Sequence, residues 1–118
     1  MLDVAIHRSY GVASDPGAMV CRFDGALVSK EAPVVRALRG RLAHAKTLLV
    51  DLRGVDSFDR PGLGALVGVL RGAHPDSGRV KLCADQPALV RLLRAEGLDR
   101  LYPLVHEPGG ARPAGIPS

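Results

Sequence analysis

Three aspartates in or after a strongly apolar segment are the residues of this sequence best placed for chemistry. Asp51 lies within the apolar segment 47–52, and Asp56 and Asp59 follow it. Such carboxylates could hold Mg²⁺ or accept a phosphoryl group, because functional residues collect at the carboxyl ends of central strands. The alternative interpretation is that these aspartates are solvated residues that cap a loop and a helix.

The segment LLVDLRGVDSFD is similar to the phosphoacceptor region of response-regulator receiver domains. A receiver also needs an acidic pair after its first strand and a lysine after its last strand. Here the first predicted strand has the sequence VAIHRSYG, and His106 and Glu107 follow the last one. We therefore favour capping aspartates, and we keep a receiver-like or nucleotide-binding signalling domain as the alternative function.

Three glycines near the start of a predicted helix could suggest a dinucleotide-binding loop. Gly62, Gly64 and Gly68 do not have the spacing G-x-G-x-x-G, because Val67 stands where the third glycine belongs. They also begin ten residues beyond the predicted strand end at Leu52, whereas a dinucleotide loop is a tight turn. Close packing or helix entry explains these glycines better.

The histidines and cysteines show no pattern of a catalytic or metal site. No two of the four histidines have the i, i+3 or i, i+4 spacing of a zinc template. Cys21 and Cys83 lie on predicted strands, where buried, unreactive thiols are expected. No G-x-S-x-G motif is present. We therefore predict no catalytic residue, no metal site and no cofactor in a protein that is not an enzyme.

The basic charge invites a nucleic-acid interpretation that the residue distribution weakens. The 118 residues carry a formal net charge of +4, with 13 arginines and 3 lysines. The arginines are dispersed from Arg8 to Arg112, and two Phe, two Tyr and no Trp supply few rings for stacking on bases. A basic nucleic-acid binder is therefore the third function, and we expect no nucleic-acid partner.

Length and hydropathy predict one small cytoplasmic domain. A chain of 118 residues can bury a core without metal or disulfide help. No apolar run approaches the ~20 residues of a membrane helix, and the N-terminus shows no signal pattern. Residues 108–118 are rich in proline and glycine, and we predict that they form a disordered tail after a domain at 1–107.

The hydrophobic pattern predicts a mixed α/β fold of order β-β-α-β-α-β-α-β, with crossover helices packed on the sheet. We expect an antiparallel first pair, because a short link joins the first two strands. A loop is predicted at 53–61, and Gly97 is expected to end the third helix in a left-handed conformation. The predicted strands are 2–7, 19–25, 47–52, 80–84 and 101–105. The predicted helices are 29–45, capped by Ser29, one from about 62 to 72, and one capped by Asp85.

Two segments of the chain together resemble the STAS domain of anti-sigma factor antagonists. They are LLVDLRGVDSFDRPGLGALVGVLR and, after it, RVKLCADQPALVRLLRAEGLDRLYPLV. That family has an apolar strand, a D-S-S/T-G-L-G motif that opens a helix, and a later Gly-Leu before the last strand. FDGALV resembles the family's G-x-L-D turn, with Val28 where Asp is usual. The residues that match the two motifs are Asp59, Gly62, Leu63, Gly64, Gly97 and Leu98.

The resemblance implies a STAS-like fold and a non-catalytic regulatory domain. Its implied partner is an anti-sigma factor or a related serine kinase, and from the hydropathy we expect no membrane contact. Homodimer formation is left open. The loop and the first turns of the next helix would form the contact surface. The implied partner-binding residues are Asp56, Ser57, Asp59, Arg60, Pro61, Gly62, Leu63 and Gly64.

The sequence departs from the family at the residues that a kinase would modify. In the family, a hydroxyl residue between the motif's Asp and Gly is phosphorylated, whereas Arg60 and Pro61 stand there in this chain. Ser57 lies on the other side of Asp59. Arg60 brings a fixed positive charge, and Pro61 stiffens the helix entry and removes one amide donor. We therefore predict a loop of constant shape with no phosphorylation site.

Overall fold

A five-stranded mixed sheet forms the centre of the computed structural model, which describes residues 1–8, 18–74 and 79–105. Neighbouring strands follow chain order across the sheet. The first pair is antiparallel and the other three pairs are parallel. The strands are β1 (Leu2–Arg8), β2 (Ala18–Leu27), β3 (Thr47–Phe58), β4 (Val80–Cys83) and β5 (Leu104–Val105). The mixed α/β fold that the sequence predicts is therefore confirmed, and the predicted strand at residues 47–52 lies in the interior of the sheet, between β2 and β4.

Short and long helices connect the parallel strands. A 3₁₀ turn at Ser29–Glu31 precedes the first of them. The helices are α1 (Ala32–Arg36), α2 (Arg39–Leu42), α3 (Arg60–Ala73), α4 (Pro87–Ala95) and α5 (Leu98–Leu101). Each parallel crossover advances one strand in the same direction across the sheet. Since such crossovers are right-handed, the helices lie on one face of the sheet.

The main hydrophobic core lies between that face and the helices. Alternate residues of β3, among them Leu48, Val50 and Leu52, point into it and are buried. Leu66 and Leu70 of α3 pack against them, as do residues of α2 and α4. On the opposite face, a small cluster contains Val20, Leu49 and Cys83, and no residue of the described helices belongs to it.

The prediction of a loop over residues 53–61 is wrong, because β3 continues to Phe58. The extension pairs with the end of β2, as in Gly25 with Val55 and Leu27 with Phe58. It runs beyond β4, which pairs with β3 only over residues 48–51. Polar residues are tolerated in this extension because their side chains are exposed, whereas Val55 is buried. Asp56 and Ser57 are exposed strand residues.

The single helix predicted over 29–45 is divided into three pieces. The amide of Leu38 bonds the carbonyl of Val35, a tight turn that interrupts the α-helical pattern between α1 and α2. Ser29 caps no helix with its side chain, since it lies within the 3₁₀ turn. The predicted apolar face is nevertheless confirmed as buried: Val35, Leu38, Leu42 and Ala45.

The third crossover differs from the prediction at both of its ends. Gln86, and not Asp85, is the N-cap of α4, and no side chain caps this helix. Gly97 has φ +75° and Leu98 is buried, which confirms the predicted left-handed helix end. The chain then forms the short helix α5, so that the strand predicted over 101–105 shrinks to the two residues of β5.

A buried histidine follows α3, which ends at Ala73, close to the predicted end of this helix. His74, predicted to begin a loop, is buried, and its Nε2 lies 2.7 Å from the carbonyl oxygen of Leu42. This contact ties the end of α3 to α2. The predicted turn at 11–17, the rest of the loop at 75–78 and the tail at 108–118 lie outside the described residues. Within the described part, no helix has the length and apolarity to cross a membrane.

Candidate functional site at the start of α3

Asp59 joins three parts of the fold at the start of α3. One carboxylate oxygen accepts a hydrogen bond from the amide of Gly62 at 2.7 Å, which caps the helix. The other accepts one at 3.1 Å from the amide of Ser29, in the 3₁₀ turn that follows β2. The Asp59 amide also donates to the carbonyl of Leu27. Asp59 therefore fixes the position of α3 against the ends of β2 and β3, as its predicted capping role requires.

Gly62 lies against the backbone that leads from β2 to the 3₁₀ turn. A Cβ at this position would lie 2.7 Å from both the carbonyl carbon of Leu27 and the Cα of Val28, and it would also meet the Leu27 oxygen. Only glycine allows this approach without a backbone shift. The close-packing explanation is confirmed for Gly62. The glycines are nearer the strand end than predicted, because β3 ends at Phe58.

Arg60 points away from the sheet and connects α3 to the end of α4. Its Nε lies 3.2 Å from Oε1 of Glu96, and the two side chains are 78% and 42% exposed. An exposed pair of this kind contributes at most about 1 kcal/mol to folding. The pair therefore orients Arg60 on the surface, and it leaves most of the guanidinium accessible.

The eight residues predicted to bind a partner differ in how far they are exposed to solvent. Leu63 and Gly62 are buried, so they shape the helix start from beneath. Asp59 is half-buried in its capping contacts. The remaining five are exposed on one continuous chain segment and its helix: Asp56, Ser57, Arg60, Pro61 and Gly64.

The structure does not bring the three aspartates together. Asp51 is buried on the sheet face opposite the helices, where the Arg53 guanidinium donates to both carboxylate oxygens at 3.1 and 3.2 Å. This hydrogen bond raises the pKa of Arg53. Asp56 accepts a hydrogen bond from the Ser57 hydroxyl, and Asp59 caps α3. Across residues 1–8, 18–74 and 79–105, no three histidine, cysteine or acidic side chains form a group that could hold a metal ion.

Both cysteines are buried, as predicted. Burial raises the pKa of the Cys21 thiol to about 12, and the positive charge of Arg41 opposes this effect only in part. Cys21 is therefore protonated near neutral pH, and a protonated, buried thiol is a poor nucleophile.

A shallow groove follows α3 on the side of α4 and α5. It has a volume of about 420 Å³. Its lining combines charged residues at the rim with apolar residues below: Arg60, Leu63, Val67, Arg71, Glu96 and Leu98. The groove opens directly beside the Arg60–Glu96 pair, so a bound segment would meet polar and apolar groups together.

A family model described as "Mlab, STAS domain" matches residues 10–106. The chain belongs to the STAS domain family. The sequence resemblance is thereby confirmed over nearly the whole predicted domain.

Solved structures support the same fold for this STAS domain. An anti-sigma factor antagonist from Mycobacterium paratuberculosis is 20% identical, with a TM-score of 0.78 over 94% of this chain and 91% of that chain. SpoIIAA in its unphosphorylated form is 17% identical, with a TM-score of 0.57 over 84% and 97%. The Bacillus cell fate determinant SpoIIAA in its phosphorylated form is 18% identical, with a TM-score of 0.62 over 89% and 93%.

Some residues of the STAS domain's site were not predicted from the sequence. Ser29 and Glu96 are distant in sequence from Asp59 and Arg60, and only the fold brings each pair into contact. Arg36 and Arg39 also come to lie beside Pro61 and Gly64. No spacing rule connects these residues with the start of α3, because Ser29, Arg36 and Arg39 lie on the crossover before β3 and Glu96 lies on the crossover after β4.

Proposed function

We propose that this STAS domain is a non-catalytic regulator of transcription that binds an anti-sigma factor or a related serine kinase in the bacterial cytoplasm. The contact surface would be the end of β3 and the first turns of α3. The domain would bind without a phosphorylation switch at residues 59–64. Family membership and the likeness to anti-sigma factor antagonist structures support this class of function.

The observation that carries the proposal is that exposed residues at the start of α3 stand on a backbone held by hydrogen bonds and close packing. Asp59 ties this segment to the 3₁₀ turn and caps the helix, and Gly62 packs against the backbone of Leu27. Arg60 and Pro61 stand exposed on that support. A surface whose backbone is already ordered loses little conformational entropy when it binds, which favours a protein contact here.

The residue types at this surface support binding without a switch. SpoIIAA has been described in a phosphorylated form. In this STAS domain, the exposed positions after Asp59 are Arg60 and Pro61, and neither side chain has a hydroxyl that could accept a phosphoryl group. The Arg60 guanidinium keeps a positive charge at a place where a phosphate would bring about −2.

Arg60→Glu is expected to weaken the complex with an anti-sigma factor of the serine kinase type by several kcal/mol, and to slow association. The reason is that charge reversal at a complementary contact removes an attraction and adds a repulsion. Folding should change by less than about 1 kcal/mol, because the Arg60–Glu96 pair is exposed. Isothermal titration against each such anti-sigma factor of the genome of origin would measure the affinity, and urea unfolding would measure the stability.

Lys81→Glu is the matched control for this experiment. Lys81 is exposed on β4 between the core residues Val80 and Leu82, so its side chain lies on the sheet face opposite α3. The control should bind as the unchanged protein does. Equal binding by the Arg60→Glu variant and the unchanged protein would contradict the proposed surface, and the absence of any binding anti-sigma factor would contradict the proposed function.

Co-expression with such a kinase is expected to leave the mass of the unchanged protein free of added phosphate. The double variant Arg60→Ser with Pro61→Thr restores hydroxyls at the two positions, and it should become a substrate of a kinase that still docks. Intact-mass spectrometry would distinguish the two proteins. Phosphate on Ser57 of the unchanged protein would show that the switch has moved to the exposed end of β3, and would contradict the prediction.

A further inference from the structure

A second groove runs along α3 on the side of α1 and α2, and arginines line it. Its volume is about 530 Å³. The lining residues include Arg36, Arg39, Pro61, Gly64, Gly68 and Val69. Arg36 and Arg39 are exposed, and neither forms an ion pair with a carboxylate of the described residues. The groove therefore carries positive charge that the described part of the chain does not neutralise.

The exposed ridge of α3 between the two grooves, which we call the crest, is formed by Gly64, Gly68 and Gly72. It is low because glycine has no side chain. A Cβ on Gly64 or Gly68 would have no heavy atom within 4 Å. At Gly72, one turn further, the nearest atoms belong to the flexible guanidinium of Arg39, whose Nε lies 2.8 Å from the Cβ position. Glycine destabilises an exposed helix relative to alanine, and no described neighbour needs it at Gly64 or Gly68. A low crest would instead admit the backbone of a second helix.

Positive charge also lies on the far side of this crest. Arg71 is exposed in the groove toward α4, and it has no ion pair with a described carboxylate. Arg60 lies in the same groove and shares its charge with Glu96. The exposed face of α3 is therefore a low, glycine-rich surface between two positively charged rims.

We propose that this face of α3 is the docking surface for an acidic α-helix of the partner protein. The proposal rests on the proposed function and adds the chemistry of what is recognised. The glycine crest would receive small residues of the partner helix, and glutamates or aspartates on its flanks would meet Arg36 and Arg39 on one side and Arg71 on the other. The 14 residues of α3 extend about 21 Å, so about four turns of a partner helix would cover them.

The shape favours a helix over a nucleic acid as the anionic occupant. Gly64, Gly68 and Gly72 recur every four residues, the spacing at which small residues let two helices approach closely. None of the described residues that line the two grooves is aromatic, so these residues offer bases no ring to stack on. One acidic helix would match both features of this surface: its carboxylates would meet the arginines, and its small residues would pack on the low crest.

The test titrates the full chain with a fluorescein-labelled helical peptide of Glu, Ala and Leu whose glutamates flank an alanine stripe. Fluorescence anisotropy should show binding to the unchanged protein that weakens with added salt. Gly68→Leu should weaken it about ten-fold or more by blocking close approach, and Arg39→Glu should do the same by charge reversal. Gly68→Leu should still fold, since the Cβ position is open, and a thermal melt would verify this.

Three comparisons would decide against the proposal. The same peptide with lysine in place of glutamate should not bind, and neither should an acidic version broken by a central proline. Equal binding of the proline peptide would show that no helix is recognised. If a duplex DNA oligonucleotide bound more tightly than the acidic peptide, the positively charged surface of α3 would be a nucleic-acid site, and the proposal would be wrong. No binding of the acidic peptide would also overturn the proposal.

A parallel titration with the anti-sigma factor separates this proposal from the proposed function. If both hold, Arg60→Glu and Gly68→Leu each weaken that complex. If Arg60→Glu weakens it and Gly68→Leu does not, the function stands and the helix-docking surface is wrong. If the acidic peptide binds through Gly68 but no anti-sigma factor binds, the surface stands and its assignment to that class of partner is wrong.

Discussion

Leu66→Ala is expected to lower the free energy of unfolding by about 2–5 kcal/mol, the range measured for buried leucines in well-packed cores. Leu66 is 1% exposed and lies at the centre of the contact between α3 and the sheet. Its truncation removes apolar contacts and leaves a cavity that the surrounding helices can fill only in part. Equilibrium unfolding in urea, followed by circular dichroism, would measure the change.

Two variants control for this result. Leu66→Met keeps the side-chain volume and should cost less than about 1.5 kcal/mol. Val34→Ala alters an exposed hydrophobic residue and should stay within about 0.5 kcal/mol of the unchanged protein. Leu49→Ala is expected in the same 2–5 kcal/mol range, although Leu49 belongs to the small cluster on the opposite face. A loss below about 1 kcal/mol for Leu66→Ala would contradict the core assignment.

Gly62→Ala and Gly64→Ala are expected to change stability in opposite directions. At Gly62 the new methyl group would press on the backbone of Leu27 and Val28, and overpacking of this kind costs about 1–3 kcal/mol. At Gly64 the methyl group enters open space, so the higher helix propensity of alanine should stabilise the fold by about 0.5–1 kcal/mol.

Urea unfolding of the two variants side by side would measure this difference. Gly64→Ala is the control, because it adds the same methyl group at a position where the group meets no neighbour. The comparison is sharp because both glycines belong to the same sequence motif and lie two residues apart on one helix. Stabilisation by Gly62→Ala would show that α3 does not start against the end of β2 as the structure has it.

Periodicity alone predicted most of the fold. The alternation at residues 2–7 predicted a half-buried strand, and the apolar run at 47–52 predicted an interior strand; both strands are present. Val35, Leu38 and Leu42 were predicted to share a buried face, and they do. These predictions succeed because a helix or strand that buries one face needs apolar residues at its own period, whatever the neighbouring elements are.

The errors fell on segments whose structure depends on a distant partner. Residues 53–58 include the polar Arg53, Asp56 and Ser57, yet they form a strand because the end of β2 pairs with them. The 3₁₀ turn and the short helix α5 were also missed. Each has only three or four residues, which is too short for a hydrophobic period to be visible in the sequence. A local pattern does not carry information about such pairing.

The sequence by itself determined the chemistry of the candidate site. It places Asp59 before a helix that Pro61 and Gly62 open, and it leaves no hydroxyl at positions 60 and 61. Its Asp-x-x-Gly-Leu-Gly pattern pointed to the STAS family, which the family match confirms. These features are local, because a cap and a helix start are formed by residues that are close along the chain.

Only the tertiary structure decided how charge and shape are distributed around that site. Arginines that are dispersed along the sequence come together on the two sides of α3: Arg36 and Arg39 on one, Arg60 and Arg71 on the other. Asp59 meets Ser29 across 30 residues, while Asp51 is turned to the opposite face of the sheet. The physical reason is that successive crossovers place separate chain segments side by side, so surface charge and packing depend on topology and not on spacing.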